Sequence, residues 1–490
     1  MPEKYSKFTS RWAIVMVSIM AILELLNILF VGKELNLLVA IPEVFFVLFV
    51  LYGIGNVRYA FLLHIIFCTT GFDATSALTE FELFSYTKVK LFGPLTVSYI
   101  ILGMIWIKTS KIKISPDLRT TILFNFYNIL KLFLFYGTLV GIVGLAVFSY
   151  RLTDFIPPFL YLLVGYLYLD IYLRLYNRSY LKKCYFVALC LIIASPVASF
   201  ISYFILNVRS AYAGYDAIIY NEAFLLAPVL IMIFFYKEEL KGLSMISLCL
   251  YLMLILAAGR GGQFLAILVC LIMIAYLVYF SPEHKHGILA NMVKIALPLS
   301  IIGIVIYFST LDAAESLATI KFNELLSMLG AFSDIGSNKM DLTSIAESPY
   351  TRIAEVFNII DNGFQNPLGL IFGKGYGGTF TDSTGMFALV DVSNGGYPME
   401  VVQSGKYGAP HSFLPNILLF NGLVGLYMIV KLAIKYFRQI KYTPLIFATY
   451  TLFFYSFYFN TNLFITTSFA LFAAEYKIQF RLNDRIKKQG

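Results

Sequence analysis

Arg209, Arg260, Arg352, Lys374 and His411 are the side chains of this sequence best suited to handling an anion and a proton. A guanidinium is a planar donor fork that grips phosphate oxygens bidentately and does not deprotonate. Several converging arginines can therefore hold a pyrophosphate and stabilise it as a leaving group. A neutral imidazole can take a proton from a sugar hydroxyl, an effect worth roughly 10²- to 10⁴-fold in rate. His411 follows Pro410 and opens an apolar run, in a chain with only four histidines. Four of the five also have a plainer reading: a helix-entry histidine bonded to a carbonyl, arginines 209 and 260 snorkelling to lipid headgroups, and Arg352 paired with Glu355 three residues on.

The elements that must position these groups are apolar. The chain has 490 residues, is 59% hydrophobic and 13% charged, and has a mean hydropathy of +0.78, whereas soluble domains carry about 25% charged residues. This predicts an all-α polytopic membrane protein. About fourteen stretches (12–14) approach the ~20 residues that a crossing needs. They lie near 11–31, 35–54, 58–78, 91–108, 129–149, 157–175, 183–206, 216–236, 242–259, 262–280, 288–308, 411–434, 443–459 and 461–476. With the N-terminus inside, 24 of 37 Lys and Arg fall on the cytoplasmic side, as positive-inside topology requires. Both termini are then cytoplasmic, and the net charge of +9 reflects topology rather than nucleic-acid binding. The first apolar run reads as a retained helix rather than a removable signal. Cysteines 68, 184, 190, 249 and 270 all fall in spans, where they suit a core better than a disulfide framework or a thiolate metal site.

Three regions follow: transmembrane helices 1–11 in 1–308, an extracytoplasmic cap in 309–410, and helices 12–14 with a cytoplasmic tail in 411–490. The cap holds 11 acidic and five basic residues, and its periodic apolar residues predict a partly helical fold. Ser348-Pro349-Tyr350-Thr351-Arg352 reads as a helix start, with Ile353, Val356, Phe357 and Ile360 on one face. Arg352 then leaves the first turn, where the helix dipole favours an anion. The following stretch, NPLGLIFGKGYGGTF (366–380), has glycines dense enough to press backbone against a phosphate or sugar, or to turn between two pieces of the cap. Gly373, Gly375, Lys374 and Tyr350 are candidate substrate contacts on that basis, and Glu222 beside Asn221 is placed to line the same outer cavity. The outer side has no DxD pair, HExxH or cluster of His and carboxylates. The simpler expectation is a reaction with no metal and no cofactor. Glu24 and Glu43 lie inside the first two spans, where carboxylates are paired or functional. His64 reads as a satisfied core residue.

AAGRGGQFLAILV, SPYTRIAEVFNIIDNGFQNPLGLIFGKGYGG and PHSFLPNILLFNGLVGLYMIV resemble, in that order, three stretches of the O-antigen polymerase and O-antigen ligase superfamily. These are its Ser/Gly-Arg-Gly stretch, its second Arg helix with a Gly-x-Gly loop, and its His-Asn/Ser-x-x-Leu motif after the large periplasmic loop. Arg209 to Asn221 is similar in placement to a looser Arg, Asn and Ala segment. The resemblance spans roughly 205–430, with Gly before Arg260 where Ser is usual and Ser412 where Asn is common. It implies a GT-C-type, metal-independent, inverting glycosyltransferase in the bacterial inner membrane, with its site facing the periplasm. Its donor and acceptor would be oligosaccharides on undecaprenyl pyrophosphate. His411 would activate or orient the acceptor hydroxyl, and Arg260 and Arg352 would bind pyrophosphate. Membrane lipids and, as a further candidate, a chain-length regulator are the implied partners.

Polymerisation onto the next lipid-linked repeat is preferred to ligation onto lipid A core, because the spans outside the motif region match only in hydropathy. A flippase or transporter is the alternative from another class, motivated by the span count and by Glu24 and Glu43. Such proteins commonly carry internal repeats, and no half-to-half similarity is evident here.

Overall fold

An apolar run can cross a hydrocarbon core as a helix because its backbone N–H and C=O groups are then satisfied within the segment. The computed structural model describes residues 3–29, 36–71, 86–87, 89–92, 95–208, 210–212, 215–235, 240–254, 347–389, 397–437 and 461–489, with single helical positions at 267, 270, 272, 275 and 279. Among these, Arg11–Leu29, Ile122–Val147, Leu152–Leu175, Arg178–Ile205 and Phe413–Lys435 are long and apolar enough to cross a membrane. Shorter apolar helices occupy Leu38–Gly53, Val57–Thr70, Val97–Thr109 and Gly242–Leu254. The architecture is that of an all-α membrane protein. The spans expected at 288–308 and 443–459, most of that at 262–280, and the cap's 309–346 lie outside the described residues.

In chain order the helices are α1 (Glu3–Leu29), α2 (Asn36–Leu48), α3 (Val57–Thr70), α4 (Val97–Thr109), α5 (Ile122–Val147), α6 (Leu152–Leu175), α7 (Arg178–Phe200), α8 (Val229–Phe235), α9 (Lys241–Leu254), α10 (Glu347–Gln365), α11 (Pro367–Phe372), α12 (Met399–Ser404), α13 (Phe413–Phe437) and α14 (Thr461–Gln489). Two antiparallel two-stranded sheets pair β1 (Lys90–Phe92) with β2 (Leu95–Thr96) and β3 (Ser210–Tyr212) with β4 (Tyr215–Ala217). Helix α7 packs against α1, α3, α9 and α14, while α5 packs against α6 and α13. The cap helices α10 and α11 pack against α13 and each other.

Several expected spans start or stop elsewhere for local reasons. The stretch expected at 91–108 opens as a hairpin and turns helical only after the extended Thr96. The one expected at 58–78 ends at Thr70, where Gly71 becomes extended (ψ 147°). The one expected at 216–236 is split into a 3-10 turn, Glu222–Leu226, and α8. Pro228 stands at that break; it lacks an N–H and disfavours helix in the residue before it. Helices α5 and α7 start earlier than expected because Thr121 accepts the Phe124 amide and Asn177 those of Ser179 and Tyr180, which satisfies donors that a helix leaves free.

Buried polar groups tie the bundle together. Asp170, with no exposed surface, accepts from Arg174, from Trp106 Nε1 at 2.8 Å and from Tyr127 at 3.3 Å. Arg174 also donates to the Ser110 and Ile112 carbonyls, so α4, α5 and α6 share one ion pair. His64 bonds Tyr86 at 2.7 Å through Nδ1 and Tyr168 at 2.6 Å through Nε2. Both its nitrogens are thus engaged in the core.

The cap is fastened to the bundle by close backbone contact. Gly422 interrupts α13 with φ 63° and ψ −164°, and a Cβ there would lie 2.4 Å from the Ile371 carbonyl oxygen and 2.5 Å from Gly373 N. Replacing Gly422 with Ala adds a backbone clash to a left-handed conformation and should cost more than about 1 kcal/mol. A Cβ on Gly103 in α4 meets nothing within 4 Å, so Gly103→Ala serves as the control. Thermal unfolding in detergent should show a lowered midpoint for Gly422→Ala only; equal midpoints would contradict this packing.

Candidate active site

Helix α10 presents Thr351, Glu355 and Asn358 to the interior, at 1%, 0% and 0% exposure. A carboxylate so placed needs hydrogen bonds in proportion to the water it has lost. Glu355 receives them from two other segments. His411 Nδ1 lies 2.6 Å from Oε1, and the His411 backbone N–H lies 3.1 Å from both oxygens. The Tyr397 hydroxyl donates to Oε1 at 2.7 Å. Burial, and then the Glu355 charge, push the Tyr397 phenol above its ordinary pKa, so it stays a donor.

These bonds orient the imidazole. A carboxylate that already accepts from an amide and a phenol makes Nδ1 the donor of this pair, and in a neutral imidazole the lone pair then falls on Nε2. Among the described residues Nε2 has no hydrogen-bond partner, and the side chain keeps 20% of its surface exposed. The Tyr397 ring meets the imidazole edge-on, centroids 4.4 Å apart at 84°. Asn416, buried in the first turns of α13, donates to the Pro410 and Ser412 carbonyls, each at 2.8 Å. It clamps the chain on either side of His411. A histidine held at one nitrogen by a buried carboxylate and open at the other can take a proton from a hydroxyl or orient it.

The structure brings only some of the expected residues to this place. Arg352 is exposed, one turn before Glu355. The plainer alternative, an ion pair with Glu355, does not form, because that carboxylate faces inward to His411. Arg209 and Arg260 lie outside the described residues. Tyr350 is fully buried and its hydroxyl donates to the Met386 carbonyl at 3.0 Å, so it is a core strut of the cap. Glu222 is buried in a turn that packs against α3, α7 and α14.

The glycine loop, expected as a candidate cradle for phosphate or sugar, gives its amides to protein. Gly373 donates to the Gly369 carbonyl, Lys374 to Leu419, Gly375 to Phe420 and Tyr376 to Gly137. Lys374 is half-buried and its ammonium donates to the Thr379 carbonyl at 2.8 Å. The loop turns from α11 back toward the Phe380–Tyr407 bridge with these amides bonded to protein carbonyls. Glu355, Tyr397 and Asn416 are site residues that the motifs do not single out. Glu355 is one of several polar residues on α10, beside Thr351, Arg352, Asn358, Asp361 and Asn362, so its spacing alone does not mark it.

Comparisons with protein-family models, with curated proteins and with solved structures find no match to this chain.

Tyr397→Phe removes one of the donors to a fully buried carboxylate. Bonds to charged groups contribute about 1.5–3 kcal/mol, and thermal unfolding in detergent should register a loss of that size. An unchanged midpoint would mean that Glu355 does not depend on the phenol.

Proposed function

We propose that this chain is a membrane glycosyltransferase of the O-antigen polymerase type, moving a glycan from a polyprenyl-pyrophosphate donor to a sugar hydroxyl of the next lipid-linked repeat. The observation that carries the reading is the Glu355–His411 pair, with Nε2 unbonded among the described residues and the exposed Arg352 one turn away along α10. The acceptor oxygen attacks the anomeric carbon as the bond from that carbon to the pyrophosphate oxygen breaks, inverting the centre. The hydroxyl proton passes to His411 Nε2, and Glu355 holds the imidazole in the required tautomer and stabilises the imidazolium. Arg352, with Arg260, binds the pyrophosphate and balances its growing charge. The protein resides in a bacterial inner membrane with both termini cytoplasmic and His411 on the periplasmic side. The resemblance of three ordered motifs to the polymerase and ligase superfamily supports this reading, and ligation to lipid A core would use the same chemistry with another acceptor.

A transport reading draws on one specific observation. Among the described residues both Glu43 oxygens and Glu24 Oε1 lack hydrogen-bond partners, and both side chains are buried inside helices, where an uncompensated carboxylate is costly. Lengthening of lipid-linked repeats by purified protein in detergent, with no compartments to transport between, separates catalysis from transport.

In the native host, His411→Ala, Arg352→Ala and Arg260→Ala should each leave single-repeat surface glycan on a gel at normal protein levels. In vitro, His411→Ala should slow lengthening by about 10²- to 10⁴-fold, and Glu355→Gln should slow it in the same direction. Wild-type chain lengths in the three alanine variants would overturn the proposal.

A further inference from the structure

Helix α10 buries polar side chains beside apolar Tyr350, Ala354 and Ile359. Its buried stripe contains Glu355 and Asn358, and the half-buried Asn362 continues it toward the interior. Asn358 bonds Asp382 and Thr384, and Asn362 bonds Thr381 and Ser383. The outward side shows Phe357 at 48% exposure and Phe364 at 72%, continued by Leu368 at 69%, Ile371 at 40% and Phe372 at 48%, with the half-buried Asp361 and the exposed Gln365 and Asn366 between them. Large apolar side chains contiguous on a surface mark a lipid or protein contact.

The depth of the same segment selects between them. The loop after α11 bonds the carbonyls of Leu419 and Phe420, six and seven residues into α13, about 9–10 Å along its axis at 1.5 Å per residue. Tyr376 bonds the Gly137 carbonyl and packs its own carbonyl against Gly141. These positions are ten and six residues short of the α5 end, about 15 and 9 Å along that helix. The Tyr376 hydroxyl reaches the Phe133 carbonyl, a further turn down. Irregular backbone survives at membrane depth only where protein satisfies it, and the amides of Gly373, Lys374, Gly375, Tyr376, Gly378 and Phe380 all donate to protein carbonyls. Helix α11 also lies flush with α13, whose exposed Leu423, Val424 and Tyr427 belong to a membrane-spanning helix.

We propose that residues 355–376 form a re-entrant hairpin, descending through α10 and α11 and returning through the glycine loop. Its outward face, Phe357, Phe364, Leu368, Ile371 and Phe372, is covered by lipid acyl chains of the leaflet on the His411 side. The proposal rests on packing and polarity and stands whether or not the protein transfers sugars.

The test uses proteoliposomes of phosphatidylethanolamine and phosphatidylglycerol, with the five native cysteines replaced. Phe364→Cys, Leu368→Cys and, as a water-side reference, Lys406→Cys each carry an environment-sensitive fluorophore. The first two side chains are mostly exposed, so their replacement removes little packing, and either position alone suffices. Nitroxides on lipid acyl chains should quench the labels at 364 and 368 severalfold more than at 406, and aqueous iodide should show the reverse order. Iodide quenching at 364 and 368 equal to that at 406 would overturn the proposal. So would shielding from both quenchers, which would place a protein surface there.

Discussion

A carboxylate with no exposed surface cannot stay in place without donors, and Glu355 finds them in Tyr397 and in both the ring and the backbone of His411. That requirement joins three stretches distant in sequence: a cap helix, the loop that precedes α12, and the entry to α13. Breaking a buried network of this kind leaves an uncompensated polar group, which costs more than the bonds contribute when intact. The tie therefore fixes the cap on the bundle at the point where His411 faces outward. Structure and proposed chemistry have the same origin, because the bond that anchors the cap is also the bond that decides which imidazole nitrogen is free.

The second fastening is made of small residues. Gly137 and Gly141 of α5 leave room for Tyr376, and Gly422 of α13 admits the backbone of Ile371 and Gly373. Between them the glycine loop hands its amides to the two helices. Helices in lipid gain little from apolar contact with one another, so close backbone approach and shared hydrogen bonds take over. The same solvent logic accounts for α10, whose polar stripe turns inward to hold the 381–384 loop while its phenylalanines turn outward.

Much of this was legible in the residues, and what was not has a physical reason. Hydropathy places the long helices because a hydrocarbon core imposes length and composition directly. Their ends are set by caps and breakers such as Thr96, Asn177 and Pro228, which a mean over twenty residues blurs. His411 stands out as rare and well placed, and Arg352 as a cation in an acidic cap. Glu355 does not stand out, because a carboxylate's role depends on what faces it, and its partners lie 42 and 56 residues away. The glycine density leaves open a ligand cradle or a turn; the amides of the loop go to protein carbonyls, a distinction that spacing alone does not carry. Tyr350 and Lys374, candidate substrate contacts by sequence, bond cap carbonyls through their polar atoms.

The central claim is that Glu355 acts through His411, and a double-mutant cycle on the purified protein tests it most directly. Rates of lengthening of a lipid-linked glycan would be compared for wild type, Glu355→Gln, His411→Ala and the double variant. If the carboxylate serves only to hold and charge-balance the imidazole, the double variant falls no further than His411→Ala alone, since groups that act as a unit are strongly non-additive. Independent losses that multiply in the double variant would contradict the account.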